Sequence, residues 1–222
     1  MIIPRLLLAG SALALTVSPA FADYTLNIIH INDLHSRIES INKYDSTCNA
    51  DGEAEGKCFG GIARVKTAID AKRAELSGQN VVVLDAGDPF QGSLFYSTYK
   101  GAAEAEFMEK IAYDVMAVGN HEFDDGPKGL ADFIAAVSFP VVSGNLDLTG
   151  EPLLDGKVEN HVVLEVGGQK IGIVSALATD TVETSSPGAG VVFEDEIAAL
   201  TADVAALQSE GVEMIIALNH VG

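Results

Sequence analysis

"VMAVGNHEFDDG", residues 115–126, changes character after its fourth residue, where an apolar run passes directly into Gly-Asn-His-Glu. Burying polar groups of this kind without partners costs roughly 2–7 kcal/mol each. Asn120 and His121 must therefore face something that uses them. The apolar half reads as a buried strand and Gly119-Asn120 as the turn that stops it. A Gly-Asn turn does not account for the histidine that follows.

Three other stretches share the habit. "YTLNIIHIND" runs apolar to Asn32-Asp33, with His35 two residues on; Val81 to Leu84 stops at "DAGDPFQG", which carries Asp88; and Met214 to Leu218 stops at Asn219-His220. In open α/β sheets ligands bind in the crevice beyond the carboxyl ends of the strands, so these distant residues are expected to converge there. Carboxylates, an amide oxygen and imidazoles without a thiolate suit Mn, Fe, Co or Zn rather than a soft ion such as Cu(I). If the strand continues extended, Asp33 and His35 project to the same side. Asp88 follows a glycine, which permits close approach of backbone and cation, and one carboxylate there can bridge two ions.

The segments between these strands supply the fold class. Helical spacing of Ile62, Val65, Ile69 and Leu76, a helix across "AAEAEFMEKIA", another from Pro127 through Ala136 and a last one spacing Ile197, Leu200, Val204 and Leu207 alternate with the strands. "HVVLEVGGQKIGIVSAL" reads as a hairpin turning at Gly167-Gly168. The expectation is an α/β domain with mainly parallel pairing and one antiparallel element.

Composition narrows the partners. The chain has 222 residues and a formal charge of −19, which argues against nucleic acid or an anionic membrane surface as partner. Residues 1–22, with Arg5, an apolar stretch and Ala20-Phe21-Ala22, read as a signal peptide cleaved after Ala22. Removing Arg5 with it takes the charge from −19 to −20 and leaves residues 23–222 as a single exported domain, periplasmic or secreted, with no further stretch able to span a bilayer. An anionic substrate would then need positive charge from bound cations. In an oxidising compartment the two cysteines, Cys48 and Cys58, are expected to form a local disulfide.

"NDLHSR", "GDPFQGSLFY", "KG", "GNHEFD" and "LNHVG", in this order, resemble the N-terminal catalytic domain of the bacterial periplasmic 5′-nucleotidase, UDP-sugar hydrolase and cyclic-nucleotide phosphodiesterase family. These are calcineurin-like metallophosphoesterases. The resemblance implies two packed mixed β-sheets flanked by helices, and hydrolysis of nucleotide or nucleotide-sugar phosphoesters by a metal-activated water. It implies two divalent ions (Zn, Mn, Co or Mg/Fe): Asp33 and His35 on the first, Asp88 bridging, Asn120 and His220 on the second. His121, oriented by Asp124, would stabilise the transition state or leaving oxygen. The family's downstream G-H-x-H ligands and its C-terminal nucleoside-binding domain have no match here, so the chain is expected to be truncated, leaving each ion a protein ligand short. Two alternatives follow: a non-catalytic metal- or nucleotide-binding module, and thiosulfohydrolase chemistry on the same scaffold.

Other polar residues are expected to be ordinary. His30 reads as a hydrogen-bonded core residue and His161 as exposed; Glu122 is as consistent with a solvated side chain as with a supporting one. Arg37 and Arg64 read as structural or surface groups.

Overall fold

The alternation of side chains along each strand builds two cores back to back. In the computed structural model, which describes residues 23–221, strands β1 (Leu26–Ile31), β2 (Asn80–Asp85), β3 (Val115–Ala117) and β4 (Val141–Val142) form a parallel sheet in that order. The expected signal peptide lies outside the described residues. Parallel neighbours need a crossover, and helices supply each one: Ile62–Glu75 after β1, Leu94–Tyr99 and Ala102–Ile111 after β2, Pro127–Ala136 after β3. A short ribbon pairs β5 (Leu146–Asp147) with β8 (Val192–Phe193). The second sheet runs β6 (His161–Val166), β7 (Gln169–Val174), β9 (Met214–Ala217); its first pair is the antiparallel hairpin and its second is parallel, joined through helix Glu196–Ser209. Of the two sheets, the three-stranded one therefore mixes directions, while the four-stranded one is parallel throughout its described strands.

Val82, Leu84, Val115, Ala117 and Val142 on one face of the first sheet pack against Ile171 and Ile173 of the second. The opposite face, with Val83, Met116 and Val141, packs against Ile69, Met108, Leu130 and Phe133 of the helices. Val174 and Leu207 begin a third, smaller core beneath helix Glu196–Ser209. The order of layers is helix, sheet, sheet, helix. Gly172 lets that last helix close in, since a Cβ there would stand 2.7 Å from Leu207 Cδ1.

The expected strands and long helices all form. Helix Leu94–Tyr99 is an addition: "LFYSTY" is aromatic and β-prone, but the Ser93 hydroxyl accepts the Phe95 amide at 3.0 Å and starts a helical turn instead. Cys48 and Cys58 are bonded, with Cα atoms 5.8 Å apart. No helix of the described residues is long and apolar enough to cross a membrane.

Candidate metal centre

Where β1 and β2 end, their loops continue to pair. The amides of Asp33, His35 and Ser36 donate to the carbonyls of Gly87, Asp88 and Pro89 at 2.9, 3.0 and 2.8 Å. Asp33, His35, Ser36 and Asp88 all take left-handed backbone (φ 52°, 46°, 53° and 59°), a conformation that costs a non-glycine residue about 1–2 kcal/mol. The extended backbone expected at Asp33-Leu34-His35 is thus replaced by a turn, because the chain leaves the strand to lace onto its neighbour. The two side chains still meet, with Asp33 Oδ1 and His35 Nε2 3.3 Å apart.

The loop after β3 is pressed against this pair. A Cβ on Gly87 would lie 2.6 Å from the Gly119 nitrogen, and one on Gly119 only 2.1 Å from Asp88 Oδ1. Glu122, fully buried, closes the contact: its carboxylate accepts the amides of Gly119 (2.7 Å), Asp88 (3.0 Å) and Phe90 (3.3 Å). Burial pushes its pKa up to about 8, the Asp88 charge adding to the rise while the amides pull it down.

Asp88 is the hub. Its Oδ1 accepts the His121 amide at 2.9 Å. Its Oδ2 faces Nε2 of three histidines, His220 at 3.3 Å, His35 at 3.8 Å and His121 at 3.9 Å. Burial opposes ionisation of Asp88, but the hydrogen bond and charge of His220 and the His121 amide outweigh it, so its pKa lies below the ordinary carboxylate value. His220 responds in the opposite sense: burial disfavours its charge, the bond to Asp88 more than compensates, and its pKa rises to about 9. Its Nδ1 sits 2.8 Å from the Ala86 carbonyl and must donate there, which aims Nε2 at Asp88 and at Asn120 Oδ1, 3.2 Å away. Asp33 Oδ1 and His35 Nε2 thus meet beside Asp88, and His220 meets both Asp88 and Asn120, with Asp33, Asp88 and His220 also within reach of one another. His121 stands beside them with Nδ1 2.8 Å from Asp124 Oδ2. All seven residues singled out in the sequence meet at the carboxyl ends of the strands.

Two oxygen-and-imidazole clusters with ligand atoms close enough for an ion occur here: Asp33, Asp88 and His220, and His35, Asp88 and His121. A profile of the calcineurin-like phosphoesterase family matches residues 26–222. The chain belongs to that family. Among its relatives, the 5′-nucleotidase of Diplobatis ommata is 42% identical over 99% of this chain and 38% of its own length. The 5′-nucleotidase precursor of Thermus thermophilus superposes with a TM-score of 0.79 at 39% identity, covering 89% of this chain and 37% of that one. The NAD nucleotidase of Haemophilus influenzae gives 0.77 at 31%, over 89% and 34%. The chain thus spans little more than a third of the length of these relatives.

Within this phosphoesterase domain several readings change. His30 is exposed and lines a cavity of about 350 Å³ with Asn32, Asp33, Asn219 and His220; β1 is the sheet's edge strand, so its inner face is only partly covered. His161 is half-buried instead of exposed, its Nδ1 2.9 Å from Asp203 Oδ1 on helix Glu196–Ser209. Glu122 is a supporting group, not a solvated one. The signal that marks it is its place beside Phe123 at a strand end, where a free carboxylate has no access to water. Asn219 accepts the Ala176 amide at 3.0 Å, which accounts for it structurally. Arg37 is committed to the His35 and Gly92 carbonyls and to Asp45, and Arg64 to Glu53 and the Gly60 carbonyl. Neither guanidinium is free for an anionic substrate.

Proposed function

We propose that this chain carries the metal-binding catalytic centre of a 5′-nucleotidase-type hydrolase, acting outside the cytoplasm on the phosphoester of a nucleotide or nucleotide sugar. The observation that carries the reading is the approach of three imidazole Nε2 atoms to one buried carboxylate oxygen, Asp88 Oδ2, within 3.9 Å. Like-oriented nitrogens gathered on a single oxygen repel or must share protons unless a cation sits among them, and the oxygen and imidazole donors suit a divalent first-row ion. Asp33 and His35 would hold one ion, Asn120 and His220 a second, and Asp88 both. Two such ions supply charge neutralisation on phosphoryl oxygens and activation of water.

The remaining chemistry belongs to side chains. His121, with Nδ1 bonded to Asp124, presents Nε2 toward the hub and donates a proton or hydrogen bond to the departing oxygen. Asp124 holds the ring in that orientation by accepting from Nδ1 at 2.8 Å. With Arg37 and Arg64 engaged elsewhere, positive charge for a phosphate falls to the ions and His121. The Cys48–Cys58 disulfide fits an oxidising compartment.

The test is release of inorganic phosphate from AMP, a UDP-sugar and a 2′,3′-cyclic nucleotide by Mn²⁺-loaded protein. Turnover on at least one, abolished by chelator and by Asp88→Asn, is expected. Loaded protein inert toward all three would overturn the reading and favour a second one, a binding module without turnover.

A further inference from the structure

Asp124 and Asp125 are consecutive acids with different attachments. Asp125 accepts the Tyr96 hydroxyl at 2.8 Å and Lys100 Nζ at 3.1 Å, which ties it to the segment after β2. Asp124 gives Oδ2 to His121 and Oδ1 to the hydroxyl of Ser185, at 2.8 Å each. Ser185 lies 61 residues away in sequence, after the single helical turn Thr181–Thr184. Its own amide donates to the Thr181 carbonyl at 2.9 Å, so the hydroxyl is delivered from a fixed backbone.

A carboxylate bonded through one oxygen alone can pivot about its Cβ–Cγ bond and carry the imidazole with it. A second donor on the other oxygen, arriving from a separate segment, fixes the carboxylate plane. We infer that Ser185 is a positioning residue: through Asp124 it sets the orientation of the His121 imidazole. Among the described residues it makes no hydrogen bond to Asp33, His35, Asp88, Asn120 or His220. The inference rests on the hydrolase reading for its catalytic consequence but not for its structural one.

The experiment follows the His121 Nδ1 proton by downfield proton NMR of the full chain, assigned by its disappearance in His121→Gln. Ser185→Ala is expected to speed its exchange with water or broaden it away. Ser185→Thr, which keeps the hydroxyl, is expected to preserve it, and both variants should bind Mn²⁺ as the parent does. In phosphate release, Ser185→Ala should lower kcat about 3- to 10-fold, the size of effect one hydrogen bond supports, with KM unchanged and recovery in Ser185→Thr. An Nδ1 proton that exchanges in Ser185→Ala as slowly as in the parent would overturn the inference. Absence of turnover in the parent would count against the hydrolase reading alone, since the proton signal still decides the role of Ser185.

Discussion

The carboxylate of Glu122 accepts the amide of Asp88 at 3.0 Å, so the carboxylate at the centre of the candidate site is positioned by a residue whose own oxygens are spent on backbone amides. Glu122→Ala leaves three buried amides without a partner, at about 1–3 kcal/mol for each group. A loss of several kcal/mol in urea unfolding is expected, with Glu122→Gln, which keeps one acceptor oxygen, intermediate. Mn²⁺ affinity measured by calorimetry should fall about 10- to 100-fold in whichever variant remains folded, the usual effect of removing a support behind a ligand.

Gly119→Ala tests the closeness of the loops. The added Cβ would meet Asp88 Oδ1 at 2.1 Å and Glu122 Oε2 at 2.8 Å, and neither group can retreat without breaking its own bonds. Metal binding is expected to be lost although no ligand has been changed. The φ of Gly119 is −100°, so any effect comes from space and not from backbone strain. Calorimetric titration showing parent-like affinity would contradict this account.

Asp85 gives a pH dependence of defined sign. It is buried, with Oδ1 on the Gly87 amide and Oδ2 without a partner among the described residues. Burial raises its pKa from 3.8 to about 7. The folded protein therefore keeps a proton that the unfolded chain releases, and the group's stabilisation is complete below pH 3.8 and lost as pH climbs through about 7. In the metal-free protein the change is on the order of a few kcal/mol. Asp85→Asn should flatten the unfolding free energy across that window, as read by urea denaturation at a series of pH values.

Ion binding should register as stability. At a free ion concentration a hundred times Kd, about 2.7 kcal/mol of stabilisation per site is expected, and chelation should remove it. Asp88→Asn should abolish the response in a thermal melt, whereas His121→Ala should retain it while losing about 10²- to 10⁴-fold in turnover.

What the sequence made legible was periodicity and punctuation. The strands announced themselves because their apolar runs end on Asp, Asn or His, and the same endings marked Asp33, His35, Asp88, Asn120 and His220. Contacts made between loops left no such trace. The left-handed turn at Asp33 and His35 arises from pairing with the Gly87–Pro89 backbone, which no local pattern encodes. Ser185 sits in a polar stretch like many others and acquires meaning only from the carboxylate it meets. His161 looked solvated because its partner, Asp203, is 42 residues away on a helix that packs back over the second sheet.

Asn120 and His220 stand 3.2 Å apart, yet one follows a strand of the first sheet and the other follows a strand of the second. An ion held by both, as proposed, would rivet the seam between the two sheets. Its capture would require β9 to be docked against β7, since His220 follows that strand. Its removal would then loosen the joint between the two sheets, and limited proteolysis should cut the ion-free form faster.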